Sequence, residues 1–77
     1  MVGEIEKVFK ENDLYVDDIR EIENGFIAIA IEWGDWKHDH LFCDHLMKKM
    51  GYTKNTEHLT GQDGSDCYSS IHFYSKN

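Results

Sequence analysis

Three histidines between positions 38 and 45 are the side chains whose type and spacing could bind a metal ion. They lie among acidic and thiol side chains, and the whole set is Asp35, His38, Asp39, His40, Cys43, Asp44 and His45. On a helix His40 and Asp44 share a face, whereas His38 and His40 diverge. Structural zinc sites usually show paired ligands at short fixed spacing, which this sequence lacks. We therefore predict no metal and no cofactor, and interpret these residues as the polar flank of a helix. Metal binding by His38, His40 and His45 stays open.

The two cysteines, Cys43 and Cys67, could serve as nucleophiles with a histidine as the base. Cys43 falls on an apolar helix face, where burial raises the pKa of a thiol and makes it unreactive. Cys67 follows a loop at positions 61–66 that is too short and too acidic to cradle a phosphate and lacks the ligand spacing of a calcium loop. We interpret both cysteines as reduced core residues of a cytoplasmic protein, and we predict no enzymatic activity and no catalytic residue.

Acidic side chains are concentrated in the first part of the chain. The net charge is −7, and twelve of the fifteen acidic residues precede position 45. Such a surface repels nucleic acid and anionic lipid and attracts basic proteins, so we expect a protein partner with a basic surface and neither direct nucleic-acid nor membrane binding. The carboxylates expected to bind this partner are Asp13, Asp17, Asp18, Glu21 and Glu23.

The length of 77 residues sets the scale of the fold that must position these groups. It predicts one domain over 1–77 with a thin core and little room for a deep substrate pocket. The longest apolar stretch, residues 26–31, is too short to span a bilayer. The first residues lack a basic segment followed by an apolar one, so we expect no signal peptide.

The first half of the chain predicts a helix and a hairpin. Val2, Ile5, Val8 and Phe9 have helical spacing. Strands are predicted at 15–23 and 26–33, joined by Asn24-Gly25, which suits a two-residue turn with positive φ at both positions. In the second strand one face must be buried, and its residues are Ile27, Ile29, Ile31 and Trp33. Ile19 and Ile22 break the alternation of the first strand, which either a bulge or a short helical turn explains.

The second half predicts another helix and another hairpin. The helix should start near Asp35 as its N-cap and end before Gly51, with Phe42, Cys43, Leu46, Met47 and Met50 on its apolar face. Strands follow at 52–60 and 67–74. The fold class is α+β, in the order α-β-β-α-β-β, with both helices on one face of a four-stranded, mainly antiparallel sheet. The expected shared core is Ile27, Ile29, Ile31, Phe42, Leu46, Ile71 and Phe73.

This packing leaves the second sheet face open. Alternation in the last strand is expected to place Tyr68, His72 and Tyr74 there, and these are predicted partner-binding residues. The neighbours expected on this face are Phe26, Ala28, Ala30 and His58. Aromatic rings on an open sheet face can stack with RNA bases, but the acidic charge opposes phosphate, so a flat protein surface is the better ligand.

Three functions follow from these features. The leading one is a small acidic protein-binding module that inhibits a partner by occupying its basic nucleic-acid-binding surface. In general type, not in sequence, the chain resembles small inhibitors of phage and other mobile elements, including anti-restriction and anti-CRISPR proteins. The alternative is a regulatory or assembly domain that binds or forms a homodimer through its open aromatic sheet face. A small metal- or thiol-dependent enzyme is the minor alternative.

Overall fold

A computed structural model describes residues 2–34, 38–62 and 67–77 of the chain. Two helices and four strands follow the predicted order α-β-β-α-β-β. They are α1 (Val2–Glu11), β1 (Asp18–Glu21), β2 (Ile27–Gly34), α2 (Asp39–Lys49), β3 (Tyr52–Gln62) and β4 (Cys67–Lys76). Neither helix has the length and apolar content needed to cross a membrane within these described ranges.

The four strands form one antiparallel sheet in the order β1-β2-β4-β3. Strands β2 and β4 lie in the centre, and β1 and β3 form the edges. Buried side chains of α1 and α2 join the same core as those of β2, so both helices cover one face of the sheet. The predicted fold class is confirmed.

The β1–β2 hairpin turns where the sequence predicted. Asn24 has φ 64° and Gly25 has φ 74°, as the Asn-Gly pair requires, and the amide of Phe26 donates to the carbonyl of Glu23 at 3.4 Å. Strand β1 is shorter than predicted because it ends at Glu21 and a short turn follows. Ile22 lies beyond the strand and is exposed, which explains the break in alternation.

The core lies between the isoleucine face of β2 and the two helices. Ile27, Ile29 and Ile31 are fully buried, as predicted, and Trp33 packs against the same cluster. The helices contribute Ile5, Phe9, Cys43, Leu46 and Met47. Phe42 was expected in this core and is instead 37% exposed, because the helix face that meets the sheet is centred on Cys43, Leu46 and Met47. Asp35, the predicted N-cap of α2, lies outside the described residues.

The predicted orientation of β4 is wrong. Its Ser70, His72 and Tyr74 face the helices and are buried, whereas Ile71 and Phe73 face away. The pairing with β2 fixes this, since His72 lies opposite Ile29. Two aromatic rings can be buried here because the Tyr74 hydroxyl donates to Asp44 of α2 and Nε2 of His72 lies within hydrogen-bond distance of Ser70. Ile71 and Phe73 lie opposite Ala30 and Ala28 on the other face.

Candidate functional site

A group of polar side chains lies between the sheet and α2. We call it the polar cluster, and its members are Asp44, Lys54, Glu57, Ser70, His72 and Tyr74. Asp44 comes from α2, and the others come from the paired strands β3 and β4. Three separate elements therefore build one site.

An irregularity in β3 makes the polar cluster possible. The register of β3 against β4 shifts between Lys54 and Thr56, so that Lys54 lies opposite Tyr74 and Glu57 lies opposite His72. Residues three apart in a regular strand point to opposite faces. The extra residue of the bulge restores Lys54 and Glu57 to the same face, the one covered by α2.

Lys54 connects the two carboxylates of the polar cluster. Its Nζ lies 2.9 Å from Oδ2 of Asp44 and 2.5 Å from Oε1 of Glu57. The Tyr74 hydroxyl donates to Oδ1 of Asp44 at 2.5 Å, and its oxygen lies 3.4 Å from Sγ of Cys43. Asp44 is thus held from two sides, which fixes the direction of its carboxylate.

His72 is fully buried at the inner end of the polar cluster. Its Nε2 lies 2.7 Å from Oγ of Ser70, which also accepts a hydrogen bond from Nε1 of Trp33 at 3.2 Å. Its Nδ1 has no hydrogen-bond partner among the described residues and lies 3.9 Å from Oδ1 of Asp44. One imidazole nitrogen is therefore satisfied and the other faces a carboxylate.

The protonation states of the polar cluster follow from burial and from Lys54. Burial lowers the pKa of His72, so this imidazole is neutral at neutral pH and makes no ion pair with Asp44. Burial also opposes the charge on Lys54, but hydrogen bonds to Glu57 and Asp44 outweigh it and raise the pKa of Lys54. The hydrogen bond from Lys54 lowers the pKa of Glu57. The polar cluster therefore contains a charged Lys54, an ionised Glu57 and a neutral His72 at neutral pH.

The Cys43 thiol is a poor nucleophile. Burial raises the pKa of Cys43 to about 12, and burial also raises the pKa of the neighbouring Tyr74. A thiol at such a pKa carries almost no thiolate at neutral pH. The sequence prediction of a buried Cys43 is confirmed, while the side chain of Cys67 lies outside the described part of the structure.

Of the histidines singled out in the sequence, His38 and His40 meet edge to face with ring centroids 5.9 Å apart, whereas His45 packs beside Phe42 instead. His38 is exposed before α2, His45 is exposed beside Phe42, and His40 stacks on Trp33 with ring centroids 3.8 Å apart. Within the described residues the acidic and histidine side chains that do converge are Asp44, Glu57 and His72. One ligand atom from each lies within 4.8 Å of the other two. Glu57 and His72 were not recognised as ligands in the sequence, because no local spacing links them to Asp44.

The residues on the uncovered sheet face differ from those that the sequence predicted. Ala28, Ala30, Ile71 and Phe73 line a shallow groove of about 350 Å³, bordered by Asp18 and Arg20 of β1. His58 lies opposite Ile71, with its ring edge-on to Phe73 at 5.8 Å between centroids.

The prediction that Tyr68, His72 and Tyr74 lie on this open face is wrong. His72 and Tyr74 are buried on the helix side, and Tyr68 stacks there on Trp33 at 4.5 Å. The platform of tyrosines is therefore replaced by a smaller apolar strip. Whether any of these residues binds a partner stays a prediction.

The predicted acidic residues lie along the connection from α1 and along the β1 edge of the sheet. Asp13, Asp17, Asp18, Glu21 and Glu23 are all exposed. Arg20 forms an ion pair with Asp18 at 2.7 Å. Among the described residues, this is the sole ion pair made by these five carboxylates. The other four carboxylates face solvent, and no cation among the described residues forms an ion pair with them.

No protein-family model, no curated protein and no solved structure matches this chain.

Proposed function

We propose that this chain is a protein-binding module that binds a partner with a basic surface through the β1 edge and the adjoining sheet face. The observation that carries the proposal is the exposed set of carboxylates beside the apolar groove. Asp18 lies at the border of the groove, and Asp17, Glu21 and Glu23 continue along the edge strand and its turn. Carboxylates next to an apolar strip suit an interface with a charged rim and an apolar centre.

The partner class is inferred from the charge. Solvent-exposed carboxylates in a row resemble the spaced anionic groups of a nucleic-acid backbone. A basic groove that evolved to bind phosphates would attract this edge by long-range electrostatics. The proposed activity is inhibition in the cytoplasm, in which the acidic edge occupies the nucleic-acid-binding surface of the partner.

A capture experiment with competitor DNA tests the proposal. The chain is immobilised, incubated with a native extract at low salt, and the bound proteins are quantified with and without excess duplex DNA. If the edge mimics phosphates, DNA should displace the specific partner, and raising the ionic strength should do the same. Retention of every captured protein in the presence of DNA and high salt would contradict the proposal.

Two charge-reversed baits locate the binding surface. Asp17→Lys with Glu21→Lys changes the β1 edge, and Glu6→Lys with Glu11→Lys makes the same change in net charge on α1. Loss of the partner with the first bait and retention with the second supports binding at the edge. Equal loss with both would show that overall charge, and not the edge, attracts the partner.

Self-association through the open sheet face is the second candidate. Ile71 and Phe73 point outward over Ala28 and Ala30, so the groove is apolar and could pair with a second copy. A homodimer of this kind would persist at high salt and would dissociate in the variant Phe73→Ser. Sedimentation of the wild type at several concentrations separates this candidate from the first.

A further inference from the structure

The polar cluster brings together ligands that metal ions prefer. Asp44, Glu57 and His72 come from α2, β3 and β4, and their ligand atoms lie within 4.8 Å of one another. Two carboxylates with one imidazole form a donor set for zinc and its neighbours in the first transition row. Mg²⁺ and Ca²⁺ favour sites made of oxygen alone, so the imidazole sets this cluster apart from a hard-cation site.

His72 gives the second, independent indication. It is fully buried, and its Nδ1 faces Asp44 without a hydrogen-bond partner among the described residues. If Nε2 donates its proton to Oγ of Ser70, the lone pair of Nδ1 is directed towards a carboxylate oxygen 3.9 Å away. Two electron-rich atoms at that separation gain most from a cation placed between them. If instead Nδ1 carries the proton, a buried N–H remains unbonded.

The surroundings match those of known metal ligands. An imidazole that binds a metal through one nitrogen usually donates the other N–H to an oxygen, and ligand carboxylates are themselves hydrogen-bonded. Ser70 lies 2.7 Å from Nε2 of His72, and Trp33 in turn donates to Ser70. The hydroxyl of Tyr74 donates to Asp44. These contacts orient both ligands before any ion arrives.

Lys54 lies where a cation is needed. Its ammonium contacts Asp44 and Glu57, so the carboxylates are already organised around one positive charge. The side chains of Lys54, Asp44 and Glu57 are respectively 34%, 22% and 44% exposed, so the outer side of the cluster is open to solvent. A flexible four-carbon side chain can swing away on that side. A divalent ion in its place would neutralise both carboxylates.

We propose that Asp44, Glu57 and His72 bind one divalent transition-metal ion of the zinc class, with Nδ1 of His72 as a ligand and with displacement of the Lys54 ammonium. A tetrahedral ion with bonds of about 2.0–2.2 Å holds its ligand atoms about 3.3–3.6 Å apart, so the cluster contracts by roughly 1 Å on binding. The ion would join α2, β3 and β4 at one point. This site is separate from the β1 edge and does not depend on the proposed function.

Titration of the tag-free full chain with Zn²⁺ and Co²⁺, after dialysis against a chelator, tests the proposal. We expect one ion per chain, with calorimetry giving the Zn²⁺ affinity and visible absorption reporting the geometry of bound Co²⁺. Equal concentrations of Mg²⁺ and Ca²⁺ should leave the protein unchanged. No saturable binding of Zn²⁺, or equal binding of Mg²⁺, would overturn the proposal.

Three variants test which side chains contribute to Zn²⁺ binding. Lys54→Met removes the competing ammonium and should tighten Zn²⁺ binding by about tenfold, because a like charge beside the ion is lost. Glu57→Gln removes an exposed ligand and should weaken binding by about tenfold or more. His45→Asn, an exposed histidine on the same helix as Asp44, should leave the affinity unchanged. Unchanged affinity in Lys54→Met, or loss of binding in His45→Asn, would overturn the assignment.

Imidazole NMR of the wild type identifies the ligand atom without any mutation. Binding of Zn²⁺ should shift the Nδ1 resonance of His72, while Nε2 keeps its proton and donates it to Oγ of Ser70. A shift at Nε2, or at His38 and His45 in place of His72, would place the metal elsewhere.

Discussion

Nδ1 of His72 lies 3.9 Å from Oδ1 of Asp44, in the interior of the protein and next to the fully buried face of β4. The imidazole is neutral, because burial lowers its pKa, so the two groups do not form an ion pair at neutral pH. They come from α2 and β4, two elements that are not neighbours in the sequence. This relationship has consequences for stability, for pH dependence and for ligand binding.

The inverted orientation of β4 predicts unequal costs for two isoleucine truncations. Ile29→Ala removes a fully buried side chain and should cost about 2–5 kcal/mol of unfolding free energy. Ile71→Ala removes a half-exposed side chain from the groove and should cost about 1 kcal/mol. Urea denaturation of both variants measures the difference. Equal losses would mean that Ile71 belongs to the core after all.

Two glycines, one in the β1–β2 turn and one in α1, should respond in opposite ways to substitution by alanine. Gly25 has φ 74° and open space around it, so Gly25→Ala meets no side chain and its cost is conformational, about 1–2 kcal/mol. Gly3 lies in α1 with equally open space, and Gly3→Ala should stabilise the protein by about 0.5–1 kcal/mol. Thermal unfolding of the two variants should show shifts of opposite sign. A stabilised Gly25→Ala would contradict the turn geometry.

Burial of His72 predicts a loss of stability in mild acid. Its pKa is lowered from the ordinary value of 6.5, so below that pH the unfolded chain binds a proton that the folded protein resists. Stability should therefore fall as the pH drops below 6.5. Burial also lowers the pKa of His40, so His40 should add to this loss of stability. At His72, the negative charges of Asp44 and Glu57 oppose the lowering of the pKa but do not outweigh burial.

Two measurements in the presence of a chelator check this pH dependence. An NMR titration of the wild type should give a pKa for His72 below 6.5. The unfolding free energy of His72→Gln should depend less on pH than that of the wild type, while His45→Gln should behave like the wild type. A pKa for His72 above 6.5 would show that its carboxylate neighbours outweigh burial.

Removal of metal should leave the fold intact. Most core side chains are apolar and come from α1, α2 and β2, and Lys54 already compensates the carboxylates of the polar cluster. Dialysis against a strong chelator should therefore change neither the circular dichroism spectrum nor the melting temperature of the folded chain. Saturating Zn²⁺ should raise the melting temperature, since a ligand that binds only the folded state stabilises it. Unfolding by the chelator alone would show that metal is a structural requirement.

Charge reversal at the β1 edge should act on the rate of association. Once the partner is isolated, Asp17→Lys with Glu21→Lys should slow association more than it speeds dissociation, because exposed charges act on the encounter. Folding stability should change little, since surface charge pairs contribute about 0–1 kcal/mol each. Stopped-flow mixing at low salt measures the rate. An unchanged association rate would rule out the edge as the binding surface.

The sequence by itself determined the features that depend on neighbouring residues. The order of the elements, the buried isoleucine face of β2 and the positive φ angles at Asn24-Gly25 all follow from alternation, helical spacing and turn chemistry, which are local. The acidic segment is also visible in the sequence, and its residues are exposed as expected.

Only the tertiary structure decided which face of β4 points inward and which ligands meet. Alternation shows that Ser70, His72 and Tyr74 share a face, but both faces of this strand contain aromatic residues, so the apolar pattern does not choose between them. The register with β2 and the polar partners beneath α2 make that choice. The bulge in β3 then brings Glu57 to the same side, and no rule of local spacing anticipates a bulge. The polar cluster is therefore a product of strand pairing, which joins residues that the sequence keeps apart.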